Sequence, residues 1–153
     1  MTKRYFEDFQ VGDRFDSATH AVTEAQITAF ARDFDPQPFH LDPEEAAGTL
    51  FGGLVASGWH TASVTMRLLV DGGLDVEGGF IGLGVEELRW PKAVRPGDIL
   101  RVSSEILDLR ISQSRPDRGI VRLASVTTNQ DDEVVQTMRS AVLVRRRPSR
   151  DPT

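Results

Sequence analysis

The sequence predicts an α+β domain in which an antiparallel sheet of about five or more strands wraps around one long central helix. The first observation is the segment from Ser57 to Val70, where apolar residues recur at three- and four-residue spacing on most sides of a helix. The second is that every segment after Gly78 alternates apolar and polar residues as strands do, with no further helical pattern. An apolar helix and a long antiparallel sheet bury each other most simply when the sheet wraps the helix.

The elements before the central helix follow in order. The segment from Arg14 to Val22 predicts a short strand. Thr23 and Gln26 form the capping box of a first helix, which ends by Phe34. Asp42 is the expected N-cap of a second short helix over residues 43–47, with a proline at its first position.

The elements after residue 57 are one helix and four strands. Asp71-Gly72-Gly73 predicts the C-terminal end of the central helix. Turn signals separate the strands, so we expect a succession of hairpins. The predicted strands cover residues 80–90, 99–111, 119–128 and 134–144, with turns at residues 95–98, 115–119 and 129–132.

The length of 153 residues fits one domain. We expect residues 1–147 to form it and residues 148–153 to form a flexible C-terminal tail. The basic residues Arg145, Arg146, Arg147 and Arg150 belong, in this interpretation, to a solvated and frayed terminus.

Composition excludes several classes of function. The net charge of −5 gives no support to nucleic-acid binding, and no apolar run is long enough to span a membrane. The N-terminus lacks the apolar core of a secretory signal, so we expect a cytoplasmic protein. There is no cysteine, the three histidines lack metal-binding spacing, and no glycine-rich nucleotide motif occurs, so no metal and no cofactor are expected.

The segment Asp35-Pro36-Gln37-Pro38-Phe39-His40 is the most informative part of the chain. It places a carboxylate and an imidazole five residues apart, in a loop that two prolines hold out of a helix. These two groups are candidates for proton transfer. Burial would raise the pKa of Asp35, whereas a protonated His40 close by would lower it, and the sequence leaves both outcomes open. The alternative is that Asp35 only caps or braces the loop, as Asp42 does for the next helix.

Asp35 to Asp42, together with Gly58 at the head of the central helix, resembles the MaoC-like, (R)-specific enoyl-CoA hydratases of the hot-dog fold. Their loop reads Asp-x-Asn-Pro-x-His, and Gln37 stands here where Asn is common. The resemblance extends from Tyr5 to Val144 and includes Ala56-Ser57-Gly58-Trp59-His60-Thr61. It implies a long helix wrapped by an antiparallel sheet, and dimers whose sheets join edge to edge with the acyl-CoA near the interface.

The resemblance also implies an activity and roles for residues. It implies syn addition of water to a trans-2-enoyl-CoA, giving a 3-hydroxyacyl-CoA, or the reverse dehydration, with Asp35 and His40 holding one water. The backbone N–H of Gly58 would bind the thioester oxygen, although Gly58 can instead be a packing glycine. Gln37 and Ser57 would support the site, and the acyl-CoA would be substrate rather than cofactor.

One position departs from the family, because Met66 stands where well-known members carry a Ser that lines the site. Lys92, Arg95 and Arg89 are candidate contacts for the CoA phosphates, or else solvated charges at strand ends. His60 is expected to be a satisfied buried histidine and His20 a strand residue without a partner.

The residues alone leave two other functions as alternatives. A hot-dog thioesterase would need an acidic residue on or beside the central helix, and residues 57–70 contain none. A non-catalytic acyl-thioester-binding module would not need the Asp35 and His40 pair.

Overall fold

A computed structural model of the protein describes residues 3–149 and contains one antiparallel sheet, three short helical segments and two longer helices. A 3₁₀ helix at Phe6–Asp8 precedes the other elements. The strands and α-helices that follow are, in chain order, β1 Arg14–Asp16, β2 His20–Ala21, α1 Glu24–Phe34, α2 Pro38–Leu41, α3 Pro43–Ala47, α4 Gly58–Asp71, β3 Phe80–Arg89, β4 Ile99–Ile111, β5 Arg118–Thr128 and β6 Val134–Arg145.

The sheet has six strands in the order β1-β4-β5-β6-β3, and β2 also pairs with β4. All of these pairings are antiparallel. The central helix α4 lies against β4 and β6, and its buried Val64 and Leu68 join Val102 and Leu123 of the sheet in one hydrophobic core. The predicted α+β class, with a sheet around a long helix, is confirmed.

The predicted succession of hairpins is wrong at one point. β3 pairs with β6, the last strand, and not with β4. The turn at Arg95–Asp98 exists, with Gly97 at a φ of +90°, but it does not join neighbouring strands. The connection instead passes the start of α4. Trp90 packs on Gly58, the Val94 carbonyl oxygen accepts a hydrogen bond from the N–H of Ala56 just before the helix, and the Gly97 N–H donates to the Val22 carbonyl oxygen. These contacts satisfy backbone groups that a hairpin would otherwise have paired.

The local signals before α4 are largely confirmed. Thr23 and Gln26 form the capping box of α1, and Asp42 caps α3 by accepting a hydrogen bond from the Glu44 N–H at 2.9 Å. The single strand predicted over residues 14–22 is two strands, because Ser17 lies between β1 and β2. There the Ser17 hydroxyl accepts a hydrogen bond from the Val102 N–H instead of continuing the ladder.

The expectation that residues 35–40 stay out of a helix is wrong for their second half. Pro38 is the first residue of the short helix α2, and His40 lies within that helix. A proline is well placed at a first helical position, since its fixed φ suits the helix and its missing N–H has no helical partner there. Gln37, which precedes Pro38, is extended as the sequence predicts, whereas Asp35, which precedes Pro36, has a φ of −151° and a ψ of 67° and lies outside the extended region.

Arg146 and Arg147 are not part of a frayed terminus. Their side chains pair with Glu7 and Asp8 of the 3₁₀ helix, and the Arg147 guanidinium holds both Asp8 oxygens at 2.8 Å. The tail predicted for residues 148–153 lies largely outside the described residues, as does Arg150. Between residues 3 and 149, no helix is long and apolar enough to cross a membrane.

Candidate active site

Asp35 and His40 meet at the junction of three helices. Asp35 follows the last residue of α1, and His40 lies in α2 with its side chain almost wholly buried. The Nε2 atom of His40 is 3.4 Å from Oδ2 of Asp35. The structure therefore brings together the two groups that the sequence singled out for proton transfer.

Val55 determines which nitrogen of His40 carries the proton. The Nδ1 atom lies 2.7 Å from the backbone oxygen of Val55. A carbonyl oxygen can only accept, so Nδ1 donates and the neutral ring presents the lone pair of Nε2 toward Asp35. The buried main chain thus gives His40 a fixed orientation and an acceptor atom that faces the carboxylate.

Asp35 accepts hydrogen bonds at both oxygens. The amide of Gln37 donates to Oδ1 at 2.6 Å, and the hydroxyl of Ser57 donates to Oδ2 at 2.7 Å. Burial acts to raise the pKa of Asp35, but the hydrogen bonds from Ser57 and Gln37, together with the positive charge that a protonated His40 would place beside it, outweigh burial, and the pKa lies below its usual value. Asp35 is therefore a carboxylate at neutral pH.

Ser57 links this carboxylate to the central helix. It is fully buried and is the N-cap of α4, where its hydroxyl oxygen accepts a hydrogen bond from the Trp59 N–H at 3.3 Å. The same hydroxyl donates its hydrogen to Asp35. Both residues expected to support the site, Gln37 and Ser57, thus contact Asp35 directly.

A cavity of about 220 Å³ opens beside the pair. Its walls are mostly apolar, and it is lined by His40 together with Phe39, Phe51, Gly58, Thr61 and Trp90, among others. Gly58 is the first residue of α4, so its N–H has no partner within the helix and lies at the positive end of the helix dipole. The cavity therefore combines an apolar chamber with a proton-transfer pair and a free backbone donor.

Gly58 is also a packing glycine. A Cβ at this position would lie 2.5 to 2.7 Å from three ring atoms of Trp90, so the indole occupies the space of the missing side chain. The packing interpretation of Gly58 is thus correct on geometric grounds. It does not compete with a donor role, because the N–H is not used in the packing.

The pair can bind a single water molecule. The Asp35 carboxylate and Nε2 of His40 are both acceptors and lie 3.4 Å apart, so a water molecule beside them can donate a hydrogen to one and contact the other. Donation to Nε2 places a proton of this water in contact with a base. This arrangement suits addition of water to an acceptor held in the adjoining cavity.

Other residues considered from the sequence lie elsewhere or are already paired. Met66 is partly exposed and lines a different groove, together with β3 and β6. Lys92 lines the cavity but pairs with Glu133, Arg95 binds the Phe51 carbonyl oxygen at 2.7 Å, and Arg89 pairs with Glu87.

Sequence reasoning missed Val55, Thr61 and Trp90 as site residues. Val55 acts through its backbone oxygen, which carries no sequence signal. Thr61 follows Gly58 by about one helical turn, which places both on one face of α4. Trp90 was expected to end a strand and belonged to the part of the chain that resembles the family, but it was given no role in the site, because its contact with Gly58 depends on the path of the connection after β3.

The two remaining histidines also differ from expectation. His60 is buried and stacks on Phe30 with ring centroids 5.0 Å apart, but its Nδ1 atom is buried without a partner within residues 3–149, so it is not fully satisfied. His20, expected to lack a partner, lies 3.2 Å from the side-chain oxygen of Gln26. Across the same described range, no group of three acidic, histidine or cysteine side chains is arranged to hold a metal ion.

We expect the stability of the protein to depend on pH through His60. Burial, together with the charge of His20, lowers the pKa of His60 below the ordinary value of about 6.5 for histidine. Below about pH 6.5 the unfolded chain therefore binds a proton that the folded chain resists, and stability falls as pH falls. The His60→Phe variant keeps the stack on Phe30 and should lose this dependence. Urea denaturation of both proteins between pH 5 and 8 checks this, and parallel pH profiles would contradict it.

Comparison with known proteins gives a consistent result. The family model described as "MaoC like domain" matches residues 8–130. The chain is 33% identical to a 3-hydroxybutyryl-CoA dehydratase of Methylorubrum extorquens, over 97% of this chain and 88% of that protein.

Solved structures agree with the family model. A MaoC-like dehydratase from Rhodospirillum rubrum is 57% identical, with a TM-score of 0.90 over 95% of this chain and 99% of that one. An (R)-hydratase from A. caviae is 28% identical, with a TM-score of 0.74 over 93% of this chain and 99% of that one. A more distant Mycobacterium tuberculosis protein with a double hot-dog fold matches in fold, with a TM-score of 0.78 at 20% identity over 99% of this chain and 47% of that one.

The fold predicted from the resemblance is thus the hot-dog fold, and the match spans more than half of the chain. His40 and Gly58 line one cavity and Asp35 lies beside His40, and the chain belongs to the MaoC-like dehydratase family of hydratases and dehydratases.

Proposed function

We propose that the protein is an acyl-CoA hydratase or dehydratase that adds water in syn fashion across a trans-2-enoyl-CoA, or removes it from the 3-hydroxyacyl-CoA. One observation carries the proposal: the Asp35 carboxylate and the Nε2 lone pair of His40 face each other at the mouth of an apolar cavity. The names of the similar dehydratase and hydratase support the same reaction class.

In this mechanism Asp35 orients the water and His40 takes its proton. The lowered pKa of Asp35, held down by Ser57, Gln37 and His40 against the effect of burial, favours a carboxylate that accepts rather than an acid that donates. His40 receives one proton as the water oxygen bonds to the β-carbon, and it then returns that proton to the α-carbon on the same face, which leaves His40 neutral again. Addition from one water on one face is syn.

The Gly58 N–H is the proposed donor to the thioester oxygen. Negative charge develops on that oxygen as the β-carbon is attacked, and a free N–H at the start of a helix is placed to stabilise it. No metal or other cofactor is required by this mechanism, and the CoA is part of the substrate. The sequence still predicts a cytoplasmic location, where acyl-CoA substrates occur in solution.

The second candidate is a thioesterase of the same fold. The acidic residue of α4, Asp71, is the last residue of the helix and pairs with Arg67 at 2.6 Å, so no carboxylate of the helix lines the cavity. The hydratase is therefore the better supported function.

The test is incubation of the purified protein with crotonyl-CoA and longer or branched enoyl-CoAs. Loss of enoyl absorbance without release of free thiol is expected. Thiol release without hydration would replace the proposal with the thioesterase, and binding without either reaction would replace it with the acyl-thioester-binding module.

We further propose that two copies of the chain associate through β3. One edge of β3 is paired with β6, and Ile81, Leu83 and Val85 on β3 are each more than half exposed. Trp59 and Met66 of α4 are also exposed, and a groove of about 510 Å³ runs between α4, β3 and β6. A free strand edge beside an apolar surface is a site of strand pairing between chains.

We expect a dimer that the Leu83→Lys variant converts to a monomer, because the new charge would be buried against the partner. Size-exclusion chromatography with light scattering measures the mass. Ile111→Lys is the matched control, since Ile111 is about as exposed as Leu83 but lies on β4. A monomeric wild type, or an unchanged dimer in Leu83→Lys, would contradict this interface.

A further inference from the structure

A chain of side-chain hydrogen bonds runs through the core and ends at the candidate active site. The indole N–H of Trp90 donates to Oε1 of Gln136 at 2.9 Å, and Nε2 of Gln136 donates to the Thr65 hydroxyl at 3.2 Å. The hydroxyls of Thr65 and Thr127 are 2.7 Å apart. We call these four residues the Gln136 relay. They join α4, β5 and β6 to the connection that follows β3.

The Gln136 relay lies in an otherwise apolar core. Gln136, Thr65 and Thr127 are fully buried, and the neighbouring residue Val135 is buried as well. A buried amide destabilises a fold unless its groups are paired, and an apolar side chain at this position would avoid that cost. The position of Gln136 therefore calls for an explanation beyond packing.

Hydrogen bonding fixes the orientation of the Gln136 amide. An indole N–H can only donate, so the amide must turn its oxygen to Trp90. Its nitrogen then faces Thr65, whose hydroxyl accepts and is in turn within reach of Thr127. With both ends determined, the amide holds the indole at one angle, although the final torsion of an aromatic side chain is otherwise broad.

The indole forms one wall of the cavity that His40 lines, beside Asp35. It lies against the Cα of Gly58, where a Cβ would meet three of its ring atoms, and it lines the same cavity as His40 and Thr61. A rotation of the ring would change both the shape of the cavity and the space in front of the Gly58 N–H.

We propose that Gln136 is a positioning residue, which through the Trp90 indole sets the shape of the acyl cavity beside Gly58. The proposal rests on the hydratase function, because the bound acyl thioester is what the wall shapes. Gln136 does not touch the substrate. It acts through Trp90, and its effect must therefore disappear when the indole N–H is removed.

A double-mutant cycle tests this dependence. Trp90→Phe keeps an aromatic ring but removes the donor, and Gln136→Leu removes the amide. In the wild-type background, Gln136→Leu should lower kcat/KM for enoyl-CoA about tenfold, mainly through KM. In the Trp90→Phe background, the same change should have little further effect. Equal effects in both backgrounds, or no effect in the wild type, would overturn the proposal.

Ser125→Ala is the matched control for loss of a buried hydrogen bond. Ser125 is buried on β5, and its hydroxyl lies 3.4 Å from that of Ser104, outside the Gln136 relay. This variant should leave kcat/KM unchanged whatever it does to stability. A loss of kcat/KM in Ser125→Ala equal to that in Gln136→Leu would indicate general destabilisation and overturn the positioning role.

A spectroscopic measurement keeps the test independent of activity and of the hydratase proposal. The chain has two tryptophans, so Trp59→Phe leaves Trp90 as the single indole emitter. In that background, Gln136→Leu should shift the emission of Trp90 and increase its quenching by acrylamide, while Ser125→Ala should not. If wild type hydrates no enoyl-CoA, the hydratase proposal fails, and unchanged emission in Gln136→Leu would separately refute the link to Trp90.

Discussion

Replacing His40 with alanine, or Asp35 with asparagine, should each lower kcat for enoyl-CoA hydration by about a thousandfold, the usual range for loss of a positioned acid or base. His40→Ala removes the base whose Nε2 lone pair faces Asp35, and Asp35→Asn replaces an acceptor with a group that also donates. In Asp35→Asn the Ser57 hydroxyl keeps an amide oxygen as acceptor, so the fold should persist. Steady-state rates with crotonyl-CoA, with circular dichroism for folding, measure both effects.

Asp42→Asn is the matched control for Asp35→Asn. Asp42 lies seven residues further on and caps α3 through the Glu44 N–H, and asparagine caps a helix about as well as aspartate. Its rate should stay near that of the wild type. A near-normal rate in Asp35→Asn or His40→Ala would remove that residue from the mechanism, and a large loss in Asp42→Asn would show that the rates report the fold rather than the chemistry.

The second large effect is expected for Gly58→Ala. The new methyl group would lie within 2.7 Å of the Trp90 ring, which is a rigid group and cannot give way at a flexible end. Overpacking of this kind costs about 1–3 kcal/mol of stability, and displacement of the helix start would misplace the Gly58 N–H. Loss of such a donor lowers kcat by about two to three orders of magnitude. Thermal unfolding and kcat together measure the two consequences.

Gly53→Ala is the control for this glycine. A Cβ there meets only the end of the Arg95 side chain, at 3.4 Å, and the backbone is not in the left-handed region. The variant should keep its stability and its rate. If Gly58→Ala were as stable and as active as Gly53→Ala, neither the close approach of Trp90 nor the donor role of Gly58 would stand.

Local signals in the sequence predicted local structure well. Thr23 and Asp42 cap the helices that the sequence assigned to them, and the helix over residues 58–71 was predicted within one residue at each end. These features depend on neighbours a few residues away. The strand order was not predictable in the same way, since β3 pairs with β6 only because the connection crosses α4, and that crossing depends on contacts of residues 90–97 with Ala56, Gly58 and Val22.

In the site, too, the features set by nearby residues were predictable and those set by remote contacts were not. Asp35, His40 and Gly58 were found from spacing and resemblance, and Gln37 and Ser57 were placed near them for the same reason. The tautomer of His40 was not predictable, because it is set by a backbone oxygen of Val55. The direction of the Asp35 pKa was left open by the sequence, and the structure settles it as lowered, since hydrogen bonds from Ser57 and Gln37, together with His40, outweigh the effect of burial.

The site and the sheet draw on the chain in different ways. The carboxylate, the imidazole, the helix start and most of the cavity wall come from one uninterrupted stretch, residues 35–61, and only residues 90–94 join them from elsewhere. The sheet depends on partners as remote as Phe80 and Val144. Recombination at two loop positions would therefore transfer nearly all of the residues of the site in one segment. Trp90 and Gln136 would come from the recipient protein, and their packing would determine how well the transferred segment fits.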